Sequence, residues 1–210
     1  MFKKIILFII LLPLMVGAAM AASPDQAVVI AAQQRVSYFL EKIPLGQESQ
    51  YGFKSRNEFR LVAIGQPYRM VKLNEDFYSA KKLTDKNYLS ASDEWRVPVS
   101  VNGDDRILLT VIKSADSYQV VDMGGVKLAK ELQQLKNAHP GNLKNYILRV
   151  YSTPMDFFVA SASVETLNQG MVYPMALTKN QVKSFQRTQK QTFSMNETLS
   201  MIKEQIADHQ

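Results

Sequence analysis

Between Glu94 and Gly125 apolar and polar positions alternate more regularly than anywhere else in the chain. Trp95, Val97, Val99 and Val101 fall on one side and Arg96, Pro98, Ser100 and Asn102 on the other, the pattern of a strand with one buried face. Asn102-Gly103-Asp104 then supplies residues that tolerate the positive φ of a hairpin loop. The run Ile107 to Ile112 is apolar on both faces, as a covered central strand requires, and Tyr118 to Met123 completes a three-stranded meander. Pro98 has no N–H to give to a ladder, so its nitrogen is expected at a sheet edge or a bulge.

Upstream, Ser23-Pro24-Asp25-Gln26 has the form of a capping box with proline at the first helical position. Val29, Ala32, Val36, Phe39, Leu40 and Ile43 follow at helical spacing, so a helix is expected from Pro24 to about Ile43, ended by Pro44 and Gly46. Residues 58–64 and 68–73 alternate around Gly65-Gln66-Pro67 and predict a hairpin. A short helix is expected around Phe77 to Leu83.

Beyond the meander, Leu128, Leu132 and Leu135 mark a helix from about Val126 to Asn137, stopped by His139-Pro140-Gly141. Strands are expected at 146–151, 155–160 and 171–177. The spacing of Phe59, Leu61, Ala63 and Pro67 is repeated by Tyr146, Leu148, Val150 and Pro154, which raises the option of a duplication. Thr178 to Gln181 reads as another capping box, opening a long C-terminal helix that either kinks or restarts at Ser194-Met-Asn-Glu197.

These elements predict an α+β fold: a largely antiparallel twisted sheet with helices packed on it, an N-terminal signal peptide and a long C-terminal helix. Residues 1–21 are assigned to the signal peptide: Lys3 and Lys4, an apolar stretch from Ile5 to Val16, and the small residues of Ala19-Met20-Ala21. Residues 22–210 then form one domain, or alternatively two halves, 22–140 and 141–210. The lysine-based leader points to a bacterial periplasm, with secretion as the alternative, and to a product that is not an integral membrane protein after cleavage.

The 210 residues include no cysteine, so disulfides, thiol nucleophiles and thiolate metal sites are excluded. Formal charge is +6, two units of which come from Lys3 and Lys4, which is too mild to imply nucleic acid. The two histidines, His139 at a helix stop and His209 next to the end, make a poor start for a triad or a metal site. No catalytic residue, metal ligand or cofactor is assigned.

Ser-x-x-Lys occurs at Ser79–Lys82 and Ser200–Lys203, without the further motifs that accompany it in serine-dependent cell-wall enzymes. Asp104 and Asp105 are read as turn formers, with a calcium site at Asn102, Asp104 and Asp105 as the weaker option. Gly124-Gly125 before a helix with Lys127 outlines a phosphate cradle but lacks the full glycine pattern.

The candidate binding residues are therefore Arg96, Ser100 and Asn102 on the polar face of the meander, beside an exposed edge near Pro98. To these are added Lys179, Lys183, Arg187 and Lys190, whose spacing puts them on one face of the expected C-terminal helix. The favoured function is an exported, non-enzymatic binding module for a peptide or protein of the bacterial envelope. The alternatives are a hydrolase using carboxylates or a Ser/Lys pair (Asp104, Asp105, Ser79, Lys82), and a peripheral binder of anionic lipid or polymer through the Lys179 face.

Overall fold

The computed structural model describes residues 23–208 apart from 85, 140, 142 and 189; the expected signal peptide and His209 lie outside the described residues. Helix α1 (Pro24–Glu41) starts as the sequence predicts, with the Ser23 hydroxyl accepting from the Gln26 N–H at 3.3 Å and Pro24 in the first turn. Two 3₁₀ turns, Glu48–Tyr51 and Arg56–Leu61, lead into β1 (Val62–Ile64) and β2 (Tyr68–Leu73). A one-turn helix α2 (Glu75–Ser79) follows, then β3 (Leu89–Val101), β4 (Asp104–Ser114), β5 (Ser117–Gly124) and helix α3 (Val126–Ala138). The second part contains β6 (Lys144–Val150), β7 (Met155–Ser161) and β8 (Met171–Pro174), then short helices α4 (Ala176–Gln181) and α5 (Lys183–Gln186). It ends with β9 (Phe193–Ser194) and helix α6 (Met195–Ala207).

The fold is α+β with a mostly antiparallel open sheet. Nine strands among the described residues run in the order β5-β4-β3-β2-β6-β7-β8-β9, with β1 also on β3. Two antiparallel blocks, β2 to β5 and β6 to β9, meet at the single parallel pair β2–β6, where Arg69 lies opposite Tyr146. A parallel pair needs a crossover, and α3 is part of it.

Paired residues point to the same side of a sheet, so the register sorts the core into faces. On one face Trp95, Val97, Val99, Ile107, Leu109 and Val111 pack against Val28, Ala32, Val36 and Leu40 of α1. Farther along that face Tyr146, Leu148, Phe157 and Val159 pack against Leu199 and Ile202 of α6 and Phe77 of α2. On the other face Tyr68, Met70, Leu108, Ile147 and Phe158 cover Ala129 and Leu132 of α3. Two of these three clusters draw residues from both strand blocks, so the blocks share their cores.

Several expectations are corrected. Strands β1 and β2 are not a hairpin: Val62 pairs with Val101, Ile64 with Val99, Tyr68 with Arg96 and Leu73 with Leu89, so both run the same way along β3. The Gly65 N–H bonds the Pro98 carbonyl at 2.9 Å, and a Cβ on Gly65 would lie 3.1 Å from the Pro98 ring. The chain therefore passes the proline in a break instead of turning back. Both main-chain groups of a strand residue point to the same side, so the break lies where Pro98 has no proton to give. The repeat seen in the sequence is not structural, because Phe59 and Leu61 belong to a 3₁₀ turn while Tyr146 and Leu148 belong to a strand.

Of the long C-terminal helix the part from Met195 forms, as α6, while the stretch before it is broken into two short helices and β9. Strand β8 ends at Pro174, α4 begins at Ala176, and Val182, Phe185 and Phe193 all enter the core. One straight helix would carry these side chains off the sheet; the broken path seats each of them. Thr178 is not a cap but a fully buried residue whose hydroxyl accepts from the Asp156 N–H and donates to the Asp156 carbonyl, both at 2.8 Å. The capping box at Ser194 and Glu197 is present and starts α6.

Candidate functional site

The residues singled out on the meander do not converge. Arg96, half-buried, donates through Nη1 to the Thr110 hydroxyl and pairs through Nη2 with Glu94 at 2.7 Å. Ser100 donates to the Ala63 carbonyl at 3.3 Å. Asn102 and Gly103 form the two-residue turn between β3 and β4 with φ of 52° and 84°, the pair of positive values a type I′ turn requires. Helix α3 intervenes between Arg96 and this turn. Its start lies over Leu108, near Gly125, and its Gln133 clamps the turn, accepting from the Asp105 N–H at 3.1 Å and donating to the Gly103 carbonyl.

Nor is the sheet open at Pro98, which is buried between β4 and the β1–β2 path. The expected edge there is corrected, because the break at 65–67 fills the place that an incoming strand would take. The sheet ends at β5 and at the two-residue β9, and the long edge is β5: among the described residues it pairs only with β4, and no other backbone hydrogen bond reaches it. A bulge places Val121 between residues paired to Thr110 and Val111, and Val121 is 47% exposed. Edge strands present a row of unpaired N–H and C=O groups to any extended chain that meets them.

Where α3 begins, Gly125 has φ of 76° and no side chain caps the first turn. Arg96, Thr110, Asp122 and Arg149 line a small cavity of about 190 Å³ there. Arg149 holds Asp156 with two bonds of 2.8 and 2.7 Å, which push the guanidinium pKa up. Both guanidinium groups thus already have carboxylate partners, and the charge in this cavity is compensated.

The expected basic helical face is not formed, because its residues are distributed over α4, α5 and the segment before β9. Lys179 bonds Gln191 at 3.2 Å, Lys190 pairs with Glu197 at 2.6 Å, Arg187 is exposed, and Lys183 opens α5 by its backbone. The Ser/Lys pairs fare similarly. Ser79 and Ser200 donate to carbonyls of their own helices, and Lys203 donates to the Phe77 and Tyr78 carbonyls at 2.8 and 3.1 Å. Among the described residues no group of three His, Asp or Glu side chains is placed to hold a metal.

A cavity of about 600 Å³ lies at the other end of α3, between its C-terminal turn and the entries to β2 and β6. Gln66, Tyr68, Lys136, Asn137, His139 and Asn145 are among its lining residues. Tyr68 is 1% exposed, and burial, helped by the charge of Asp105, raises its phenol pKa well above the ordinary value. Burial also raises the Asp105 pKa, with Lys136 opposing the shift. The His139 ring stacks on Tyr173 at 4.1 Å. In the sequence Gln66 falls in a turn, Tyr68 opens a strand and His139 stops a helix, and nothing there links residues 66–68 to residues 136–145.

No helix among the described residues is long and apolar enough to cross a membrane. Compared with protein-family models, with curated proteins and with solved structures, the chain finds a match in none of the three.

Proposed function

We propose that the protein is an exported, non-enzymatic binding module that takes an extended segment of a peptide or protein of the bacterial envelope onto strand β5. The observation that carries this reading is the unpaired outer side of β5 at the end of a nine-stranded sheet. An added strand gains affinity from main-chain hydrogen bonds and specificity from alternate side chains. On β5 these are Tyr118, Val120 and Met123, which pack with the α1 core, and the exposed Gln119, Val121 and Asp122 on the surface. The bulge at Val121 limits unspecific pairing of the kind that a long flat edge invites. Export to the periplasm is proposed from the leader pattern of residues 1–21.

Selection of displayed peptides on the protein, followed by amide hydrogen exchange of the complex, tests the site. Protection is expected within residues 117–124, and Val121→Lys should weaken the selected peptide at least tenfold. Protection elsewhere, or unchanged affinity of the variant, would defeat the reading. Export is tested by osmotic shock and N-terminal sequencing, with Ala22 as the expected first residue; an intact Met1 in the cytoplasm would overturn it.

A further inference from the structure

We propose that the cavity at the C-terminal end of α3 is a second binding site, for a small neutral ligand rich in hydroxyl or amide groups, of the chemical class of a short oligosaccharide. Its size of about 600 Å³ falls within the range of small-molecule sites, and it stands apart from edge β5.

Charge selects the class. The charges around the site are mixed: Lys144 pairs with Asp25 at 3.4 Å, and Asp105 lies near enough to Lys136 for the lysine charge to act on it. The end of α3 adds the negative pole of a helix and last-turn carbonyl acceptors, although that of Lys136 is already taken by the His139 N–H at 3.3 Å. An anion would meet that pole and Asp105, and a cation would meet Lys136 and Lys144. A neutral ligand escapes both costs.

Hydrogen-bonding capacity points the same way. Gln66, Asn137 and Asn145 bring primary amides, each able to donate and accept, and Tyr68 adds a phenol that stays protonated and can do both. Hydroxyl groups, which also donate and accept, match this mixture better than a group limited to one role. The His139 ring packs on Tyr173 and belongs to an exposed residue of the cavity wall, so it can offer ring surface to a sugar.

The test is saturation-transfer and amide-shift NMR on the protein with four probes: the neutral disaccharides chitobiose and cellobiose, acetate as the anion, and putrescine as the cation. At least one disaccharide is expected to receive saturation and to shift the amides of Gln66, Tyr68, Asn137 and Asn145. Tyr68→Phe should weaken it roughly tenfold, the size of one lost hydrogen bond in a desolvated site, and Asn137→Ala, at a solvent-exposed position, roughly threefold. The second variant serves if the first disturbs folding. If neither disaccharide binds, if acetate or putrescine shifts these amides at lower concentration, or if Asn137→Ala binds unchanged, the proposal falls. Val121→Lys must leave disaccharide binding intact, which separates this site from edge β5.

Discussion

Arg149 and Asp156 face each other in register across the β6–β7 hairpin and are joined by two parallel bonds of 2.8 and 2.7 Å. The backbone of Asp156 is in turn held by the Thr178 hydroxyl on both its N–H and its carbonyl. One residue therefore ties the strand pair to α4. Asp156→Ala leaves a guanidinium that is 29% exposed without its partner, and a loss of about 1–3 kcal/mol is expected in urea denaturation. Asp156→Asn, which keeps one acceptor, should lose less.

Gly52 and Gly46 share a φ of +83° but differ in surroundings. A Cβ on Gly52 would lie 2.7 Å from the Arg106 carbonyl oxygen, whereas nothing lies within 4 Å of one on Gly46. The backbone strain alone is worth about 1–2 kcal/mol for an L-residue in this region. Gly46→Ala should show that cost and no more. Gly52→Ala should exceed it, because β4 cannot move away from the contact, and equal destabilisation of the two variants would refute the close approach.

Glu197 carries the clearest acid response. Its carboxylate accepts from Lys190 and from the Ser194 N–H and hydroxyl, and its pKa is lowered to about 2. A depressed folded-state pKa contributes stability above the ordinary glutamate value, lost as pH falls towards the folded one. The cap of α6 should weaken between about pH 4.5 and about pH 2. Thermal unfolding of Glu197→Gln should show a shallower slope through that window, and identical slopes would count against the cap.

Asp105 responds with the opposite sign. Burial raises its pKa in the folded state, so the ionised form is disfavoured by folding. The penalty is present at neutral pH and disappears as acid protonates the group in both states. Asp105→Asn should raise the melting temperature slightly at pH 7, and the gain should vanish below about pH 3.9, the unfolded value. A gain that persists at pH 3 would mean that the charge is not its cause.

Local pattern was a good guide for several elements whose own residues determine their form, though not for the capping signal at Thr178 or the turn at Gly65. The alternation of Trp95, Val97, Val99 and Val101, the turn at Asn102 and Gly103, and the capping residues Ser23 and Ser194 all stand as read. Each is a short-range constraint: pleat, φ or cap. The C-terminal region misled because Val182 and Phe185 fit a helical stripe and also fit a broken path, and only the sheet beneath them distinguishes the two.

The candidate sites show the same division. By itself the sequence determined the α+β class, the absence of cysteine chemistry and the central meander, since these depend on residue type and period. Tertiary structure decided that Pro98 is covered, that β5 is the long free edge, and that Tyr68 joins Asn137 and Asn145 around one cavity. Strand order and the meeting of distant segments arise from how faces pack, and that packing is a property of the whole chain which no local period encodes.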